Sequence, residues 1–102
     1  SLHDALPIWT SLPVLVDFHA EWCGPCKMLG PVVEQVAESK AGAAVVAKVD
    51  VDAARDIAGR YRITSIPTLI VFKDGQPVST VRGVQTKAAI ESLIDEAASK
   101  GA

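Results

Sequence analysis

The chain has 102 residues, of which 49% are hydrophobic, so it can bury one core in a single domain and is too short for two. Ten basic and twelve acidic residues give a formal net charge of −2 without a basic cluster, which argues against a nucleic-acid partner. The longest apolar runs, near Pro13–Val16 and Ile66–Phe72, are far shorter than the roughly 20 residues that span a bilayer, so we expect no membrane association.

The first residues do not look like the start of a folded domain. Ser1–Ile8 resembles the translated end of a short-read sequencing adapter, and it lacks the basic stretch and apolar core of a secretory signal. We therefore expect a non-native leader at residues 1–8, a single domain at residues 9–102, and a cytoplasmic protein.

Two strands separated by a helix are predicted in the first half of the chain. β-Branched and aromatic side chains fill Val14–Phe18, as in a strand that is buried on both faces. A helix is predicted over Cys23–Lys40, with Pro31 expected to kink it. Its apolar stripe consists of Met28, Leu29, Val32, Val33, Val36 and Ala37. Ala44–Val51 is a second strand, and the crossover helix requires it to run parallel to the first.

A helix, a hairpin and a final helix are predicted in the second half. These elements are a helix at Ala53–Tyr61, strands at Thr68–Phe72 and Val78–Val81, and a helix at Thr86–Ser99. Asp52 and Thr86 are the expected N-caps of the two helices. Asp74-Gly75 is typical of a tight turn between antiparallel strands. The predicted class is α/β, with a mixed central sheet flanked by helices in the order βαβαββα.

The chain has two cysteines, and they lie three residues apart in Trp22-Cys23-Gly24-Pro25-Cys26-Lys27, between a strand and a helix. A disulfide scaffold is excluded, because such scaffolds join distant segments. Free amide groups and a partial positive charge at the helix start would stabilise a thiolate at Cys23, which makes Cys23 the expected nucleophile. Cys26 could then resolve a mixed disulfide within the same molecule.

The segment Trp22–Lys27 resembles the active site of the thioredoxin family, and the likeness extends over Pro13–Ala98. The further matching motifs are Val16-Asp17-Phe18, Ser65-Ile66-Pro67-Thr68, Phe72-Lys73-Asp74-Gly75 and Gly83. The resemblance implies a thioredoxin fold and a monomeric protein-disulfide reductase and electron carrier, with no bound cofactor beyond a redox-active Cys23–Cys26 disulfide. It also implies that electrons come from NADPH through a thioredoxin reductase and pass to disulfide-containing protein substrates.

Asp17 lies in the middle of an apolar strand, so its pKa should be raised by burial. The resemblance implies that Asp17 is the general base for Cys26 and that Lys48 pairs with it. The alternative is an Asp17–Lys48 pair that is structural alone.

The resemblance also implies a cis peptide bond between Ile66 and Pro67, in a loop that faces the cysteines and contacts substrate. The small apolar docking surface expected from it consists of Trp22, Gly24, Pro25, Ile66, Pro67 and Gly83. Taken singly, each apolar member of this set is also compatible with an ordinary exposed residue.

The sequence departs from the family pattern at two places. His19 stands where an aromatic residue is usual, so packing beside the active site should differ, and an imidazole there could either tune the thiols or simply face water. The family's first strand and helix would precede Pro13, so we expect them to be truncated and the sheet to lack an edge strand.

Two other functions stay open at this point. Oxidases and isomerases of the same fold usually carry histidine at the position of Pro25, so Gly24-Pro25 favours a reductant. A binding module with half of a zinc site would need four ligands, and the only histidines are His3 and His19. No metal site is therefore expected.

Overall fold

The computed structural model describes residues 10–100, so the predicted leader at residues 1–8 and the start of the predicted domain lie outside the described residues. Seven elements follow in the predicted order. They are β1 (Val14–His19), α1 (Gly24–Ser39), β2 (Val45–Asp50), α2 (Arg55–Arg60), β3 (Thr68–Lys73), β4 (Gln76–Arg82) and α3 (Lys87–Lys100).

The four strands form one mixed sheet in the order β2-β1-β3-β4. β1 runs parallel to β2 and antiparallel to β3, and β3 is antiparallel to β4, which confirms the predicted pairing. Strands β1 and β3 are central and almost wholly buried, as their continuous apolar sequences require. β2 and β4 are the edge strands among the described residues, and the expectation of a missing strand beside the sheet falls on residues outside that range.

Side chains of β1 alternate between two hydrophobic clusters on opposite faces of the sheet. Val14, Val16 and Phe18 lie in the cluster that includes Ile57 of α2. Leu15 lies in the other cluster, which is built from buried residues of α1, α3 and β3. Because successive residues alternate, Asp17 shares the face of Leu15 and is directed toward α1.

The hairpin between β3 and β4 and the start of α3 agree with the sequence. Asp74 and Gly75 have φ values of 53° and 78°, which is the pattern of a type I′ turn. The Oγ1 atom of Thr86 accepts a hydrogen bond of 3.1 Å from the amide of Ala89, so the predicted cap of the last helix is confirmed. β4 is longer than predicted, and Pro77 is accommodated because β4 is an edge strand.

The predicted N-cap of the short helix is wrong. Ala54 occupies the N-cap position of α2, and no side chain caps this helix. The acidic group that binds the local amides is instead Asp50, whose Oδ1 atom accepts hydrogen bonds from Asp52 and Ala53 at 2.9 and 3.4 Å. The carboxylate of Asp52 is therefore free to contact a residue distant in sequence, Trp22.

One member of the predicted apolar stripe of α1 does not face the core. Leu29, Val33 and Val36 are buried as expected, whereas Met28 is 68% exposed. The side chain of Met28 therefore lies on the exposed side of α1. Pro31 lies inside α1, as predicted.

Candidate active site

Cys23 occupies the N-cap of α1, where β1 has ended and the helix begins. Its backbone is extended, with φ −89° and ψ 111°, and its Sγ atom accepts a hydrogen bond of 3.2 Å from the amide of Cys26. Pro25 lies in the first helical turn, where its missing N–H group leaves no hydrogen bond unmade. A negative charge on this sulfur would therefore be stabilised by an amide donor and by the positive end of the helix.

Cys23 and Cys26 are joined by a disulfide, with their Cα atoms 5.2 Å apart. The two residues are only 4% and 6% exposed and pack with Ala20, Val51 and Ile66. Both sulfurs are thus bound to each other in a mostly apolar setting. The two cysteines thus form a disulfide that closes a short loop at the start of α1.

Asp17 lies behind this pair and is 1% exposed. Its Oδ1 atom has no hydrogen-bond partner among the described residues. Burial raises the pKa of Asp17 above its ordinary value because the carboxylate is desolvated, and this effect is only partly opposed by His19 and Lys48. The predicted direction is confirmed, and the carboxyl group is suited to hold a proton at higher pH than an exposed aspartate would.

A cavity of about 440 Å³ connects Asp17 with the second cysteine and with solvent. Its lining residues are Asp17, His19, Ala20, Glu21, Cys26, Lys27, Gly30 and Lys48. The cavity therefore offers a route by which protons could reach Asp17 and Cys26.

Lys48 lies opposite Asp17 in the register of β1 and β2. The expected direct pairing is absent, because the described residues include no Asp17–Lys48 ion pair within 4.0 Å. The ammonium group extends instead toward α1, where its Nζ atom lies 3.8 Å from the position that a Cβ atom on Gly30 would take. Lys48 thus contributes positive charge to the cavity wall without satisfying the buried carboxylate.

The loop before β3 faces the disulfide from the other side. The Ile66–Pro67 peptide bond is cis, as expected. The carbonyl oxygen of Ile66 lies 3.9 Å from the Sγ atom of Cys23, and the carbonyl oxygen of Pro67 accepts a hydrogen bond of 2.9 Å from Gly83. Gly83 has φ +85°, a conformation that glycine adopts readily. These contacts bring together three of the predicted docking residues, Ile66, Pro67 and Gly83, with Ile66 next to Cys23.

Trp22 is the most exposed large apolar residue among those described, at 71%. Its Nε1 atom donates a hydrogen bond of 2.7 Å to the Oδ2 atom of Asp52. A shallow cavity of about 150 Å³ lies between Trp22 and the loop at residues 63–66, while Gly24 and Pro25 are exposed beside it. The sequence did not identify Asp52 as part of the site, because its partner is 30 positions away and no local pattern marks the contact.

His19 ends β1, is half-buried, and lines the larger cavity together with Asp17 and Cys26. His19 thus lies beside the site and is also partly exposed, which is compatible with both settings expected for it.

Two features are absent from the described part of the chain. Residues 10–100 contain no group of three or more His, Cys, Asp or Glu side chains arranged to hold a metal ion. None of the helices in this range has the length and apolar character needed to cross a membrane.

Comparisons with known proteins agree with this geometry. The family model described as Thioredoxin matches residues 7–96. A thioredoxin of Mycobacterium tuberculosis is 55% identical over 78 residues, covering 76% of this chain and 67% of that protein. A thioredoxin of Staphylococcus aureus is 52% identical over 82 residues, covering 80% of this chain and 79% of that protein.

Solved structures give the same result. A mutant thioredoxin of Halobacterium salinarum superposes with a TM-score of 0.79 at 46% identity, covering 84% of this chain and 74% of the other. Oxidised mitochondrial thioredoxin 3 of Saccharomyces cerevisiae superposes with a TM-score of 0.80 at 33% identity, covering 88% and 83% of the two chains. The likeness therefore includes both the sequence around the cysteines and the arrangement of the sheet and helices.

Proposed function

Since the chain belongs to the thioredoxin family, it is a protein-disulfide reductase that uses the Cys23–Cys26 pair, and we propose that Cys23 attacks the substrate while Cys26 resolves the intermediate. Proteins of this family need no prosthetic group for this exchange, because the redox-active disulfide itself carries the two electrons. The observation that carries the proposed order of attack is the Cys23 sulfur at the N-cap of α1, bound by the Cys26 amide.

In the first step, the thiolate of Cys23 attacks one sulfur of the substrate disulfide. A mixed disulfide forms between Cys23 and the substrate, the substrate S–S bond breaks, and the first substrate thiolate leaves. The helix N-terminus favours this thiolate at Cys23, whereas Cys26 lies one turn further along and has no equivalent set of free amides.

In the second step, Cys26 loses its proton to the carboxylate of Asp17 and attacks the Cys23 sulfur. The Cys23–Cys26 disulfide forms, the mixed disulfide breaks, and the second substrate thiolate leaves and takes up a proton. The shared cavity of Asp17 and Cys26 supports this transfer, with Lys48 supplying positive charge beside the carboxylate. A raised pKa makes Asp17 a better proton acceptor than an exposed aspartate, as general-base catalysis requires.

Substrates dock on the surface formed by Trp22, Gly24, Pro25, Ile66, Pro67 and Gly83. Support comes from the exposure of the Trp22 indole and from the position of the Ile66 carbonyl beside Cys23. An extended substrate segment has apolar contacts with this surface and backbone groups of the loop within reach.

The reduced protein is regenerated by a thioredoxin reductase that draws on NADPH, and the protein works as a monomer in the cytoplasm. Family membership supports this electron source, since the family generally works with that reductase. The residues between the cysteines support the reducing direction, because a histidine in place of Pro25 would stabilise the thiolate and make the disulfide more oxidising.

The order of attack is tested by insulin reduction driven by dithiothreitol, with the wild type, Cys23→Ser and Cys26→Ser compared. We expect Cys23→Ser to lose catalysis and Cys26→Ser to accumulate a mixed disulfide that is visible by mass spectrometry. Catalysis that survives Cys23→Ser, or a trapped adduct in Cys23→Ser and none in Cys26→Ser, would contradict the assignment.

A further inference from the structure

His19 lines the larger cavity and has no part in the steps above. Two residues apart on one strand, Asp17 and His19 point to the same face of the sheet, with about 7 Å between their Cα atoms. Both side chains line the cavity that also contains Cys26. His19 is half-buried at the rim, whereas Asp17 is buried at the base.

We propose that His19 is a positioning residue for the resolving step: its imidazole, when protonated, favours the carboxylate form of Asp17 that accepts the Cys26 proton. The proposal rests on the general-base role given to Asp17 above. His19 then acts on Asp17 and not on the substrate.

Asp17 lacks close partners that would fix its charge state, so a more distant charge can influence it. Its Oδ1 atom has no hydrogen-bond donor among the described residues, and Lys48 forms no ion pair with it. The free energy of ionising Asp17 therefore depends on the charges around the cavity, since a buried charge without a partner is costly. Burial raises the pKa of Asp17, and the neighbouring basic residues lower it, His19 more than Lys48.

The other charged groups around His19 come from three segments. Glu21 lies in the turn after β1, Lys27 lies in the first turns of α1, and Lys48 lies on β2, and all three line the cavity. By the sign of its charge, Glu21 would oppose an effect of His19, whereas Lys48 acts on Asp17 in the same direction.

Two further residues lie beside these positions in the neighbouring strands. Asp50 is the register partner of His19 on β2, but its Oδ1 atom already accepts the amides of Asp52 and Ala53. On the other side, β3 places the apolar Leu69 opposite Asp17. His19 is thus the basic side chain on the same strand and face as the buried carboxylate.

The test uses two variants at one position, His19→Gln, which is neutral, and His19→Lys, which is cationic. The pKa of Asp17 is followed by the ¹³C shift of its carboxyl carbon in the oxidised protein, where neither cysteine titrates. We expect this pKa to be higher in His19→Gln than in the wild type, because one cation has been removed. His19→Lys should return it toward or below the wild-type position.

The same variants are then compared in the resolving step, by stopped-flow decay of the mixed disulfide as a function of pH. We expect the rise of the rate with pH to move to higher pH in His19→Gln and to be restored in His19→Lys. Restoration by a different cation is an outcome that a purely structural role of the imidazole would not produce. Circular dichroism of both variants confirms that the fold is kept.

Three results would overturn the proposal, and they are distinguishable. Equal Asp17 titrations in the wild type and His19→Gln would show that the imidazole does not act on this carboxyl group. Failure of His19→Lys to restore the rate profile would assign the effect to packing instead of charge. Asp17→Asn that resolves the mixed disulfide as fast as the wild type would remove the general-base role itself, and the proposed role of His19 with it.

Discussion

Asp17→Asn should make the oxidised protein more stable at neutral pH, although Asp17 is proposed to serve the reaction. The wild-type carboxylate is 1% exposed and has an Oδ1 atom without a hydrogen-bond partner. Leaving a buried polar group unsatisfied costs about 1–3 kcal/mol, and more when it is charged. Asparagine has nearly the same shape and still buries a polar amide, but it carries no charge. We therefore expect the free energy of unfolding to rise, at pH values above the folded Asp17 pKa, by about 1.4 kcal/mol for each unit by which burial raises that pKa.

The stability gained by Asp17→Asn should increase with pH. Burial raises the pKa of Asp17 above its unfolded value, which is about 3.9 for an ordinary aspartate, so the folded state binds the proton more tightly. Wild-type stability therefore falls as pH rises from the unfolded to the folded pKa, by about 1.4 kcal/mol per unit of difference. The advantage of Asp17→Asn should be largest above this interval and should shrink as pH falls through it.

The assay is unfolding of the oxidised proteins by guanidinium chloride across this pH range. Asp74→Asn is the matched control, because Asp74 is an exposed residue of the β3–β4 turn, at a position that asparagine also favours. We expect the control to change stability by less than about 0.5 kcal/mol. An Asp17→Asn variant that is no more stable than the wild type at neutral pH would refute the view of Asp17 as a buried carboxylate without a partner.

Three further changes test the fold and the docking surface. Ile90→Ala removes a fully buried side chain of α3 and should lower the free energy of unfolding by about 2–5 kcal/mol in denaturant titrations; a loss below about 1 kcal/mol would place Ile90 outside the core. Gly83→Ala forces a side chain into φ +85° and should cost about 1–2 kcal/mol, so an unchanged thermal midpoint would argue against that backbone conformation. Asp52→Ala removes the acceptor of the Trp22 indole and should change indole fluorescence and raise KM for insulin, with a stability change below about 1 kcal/mol because the pair is exposed. Identical fluorescence and KM would show that this hydrogen bond does not hold Trp22 in place.

Features with a local cause could be predicted from the sequence. The buried strand at Val14–Phe18, the helix that starts at the cysteines, and the turn at Asp74-Gly75 each follow from apolar spacing or backbone preference within a few residues. The buried position of Asp17 followed from the same pattern, since a single acid in an apolar strand has no exposed face to occupy. The cis bond before Pro67 followed from the family resemblance alone, because most bonds before proline are trans.

Features that depend on long-range contacts were missed or wrong. Asp52 is a residue type that often caps helices. Asp50, however, accepts the hydrogen bonds of the nearby amides, and Asp52 accepts one from an indole 30 residues away. The Nζ atom of Lys48 lies beside Gly30 of α1, so the position of its charge is set by contacts with another element. Met28 belongs to an apolar stripe by spacing, yet the core on that side of α1 is filled by Leu29, Val33 and Val36. None of these outcomes has a signal in the neighbouring sequence.

Alkylation of the reduced protein tests the central claim most directly, namely that the start of α1 makes Cys23 the reactive thiol. Reduced protein is exposed to substoichiometric iodoacetamide at neutral pH, and the modified cysteine is identified by peptide mass spectrometry at short times. We expect the label on Cys23 first, because its sulfur is the one bound by an amide at the helix N-terminus. Faster labelling of Cys26 would contradict the claim and reverse the roles of the two cysteines.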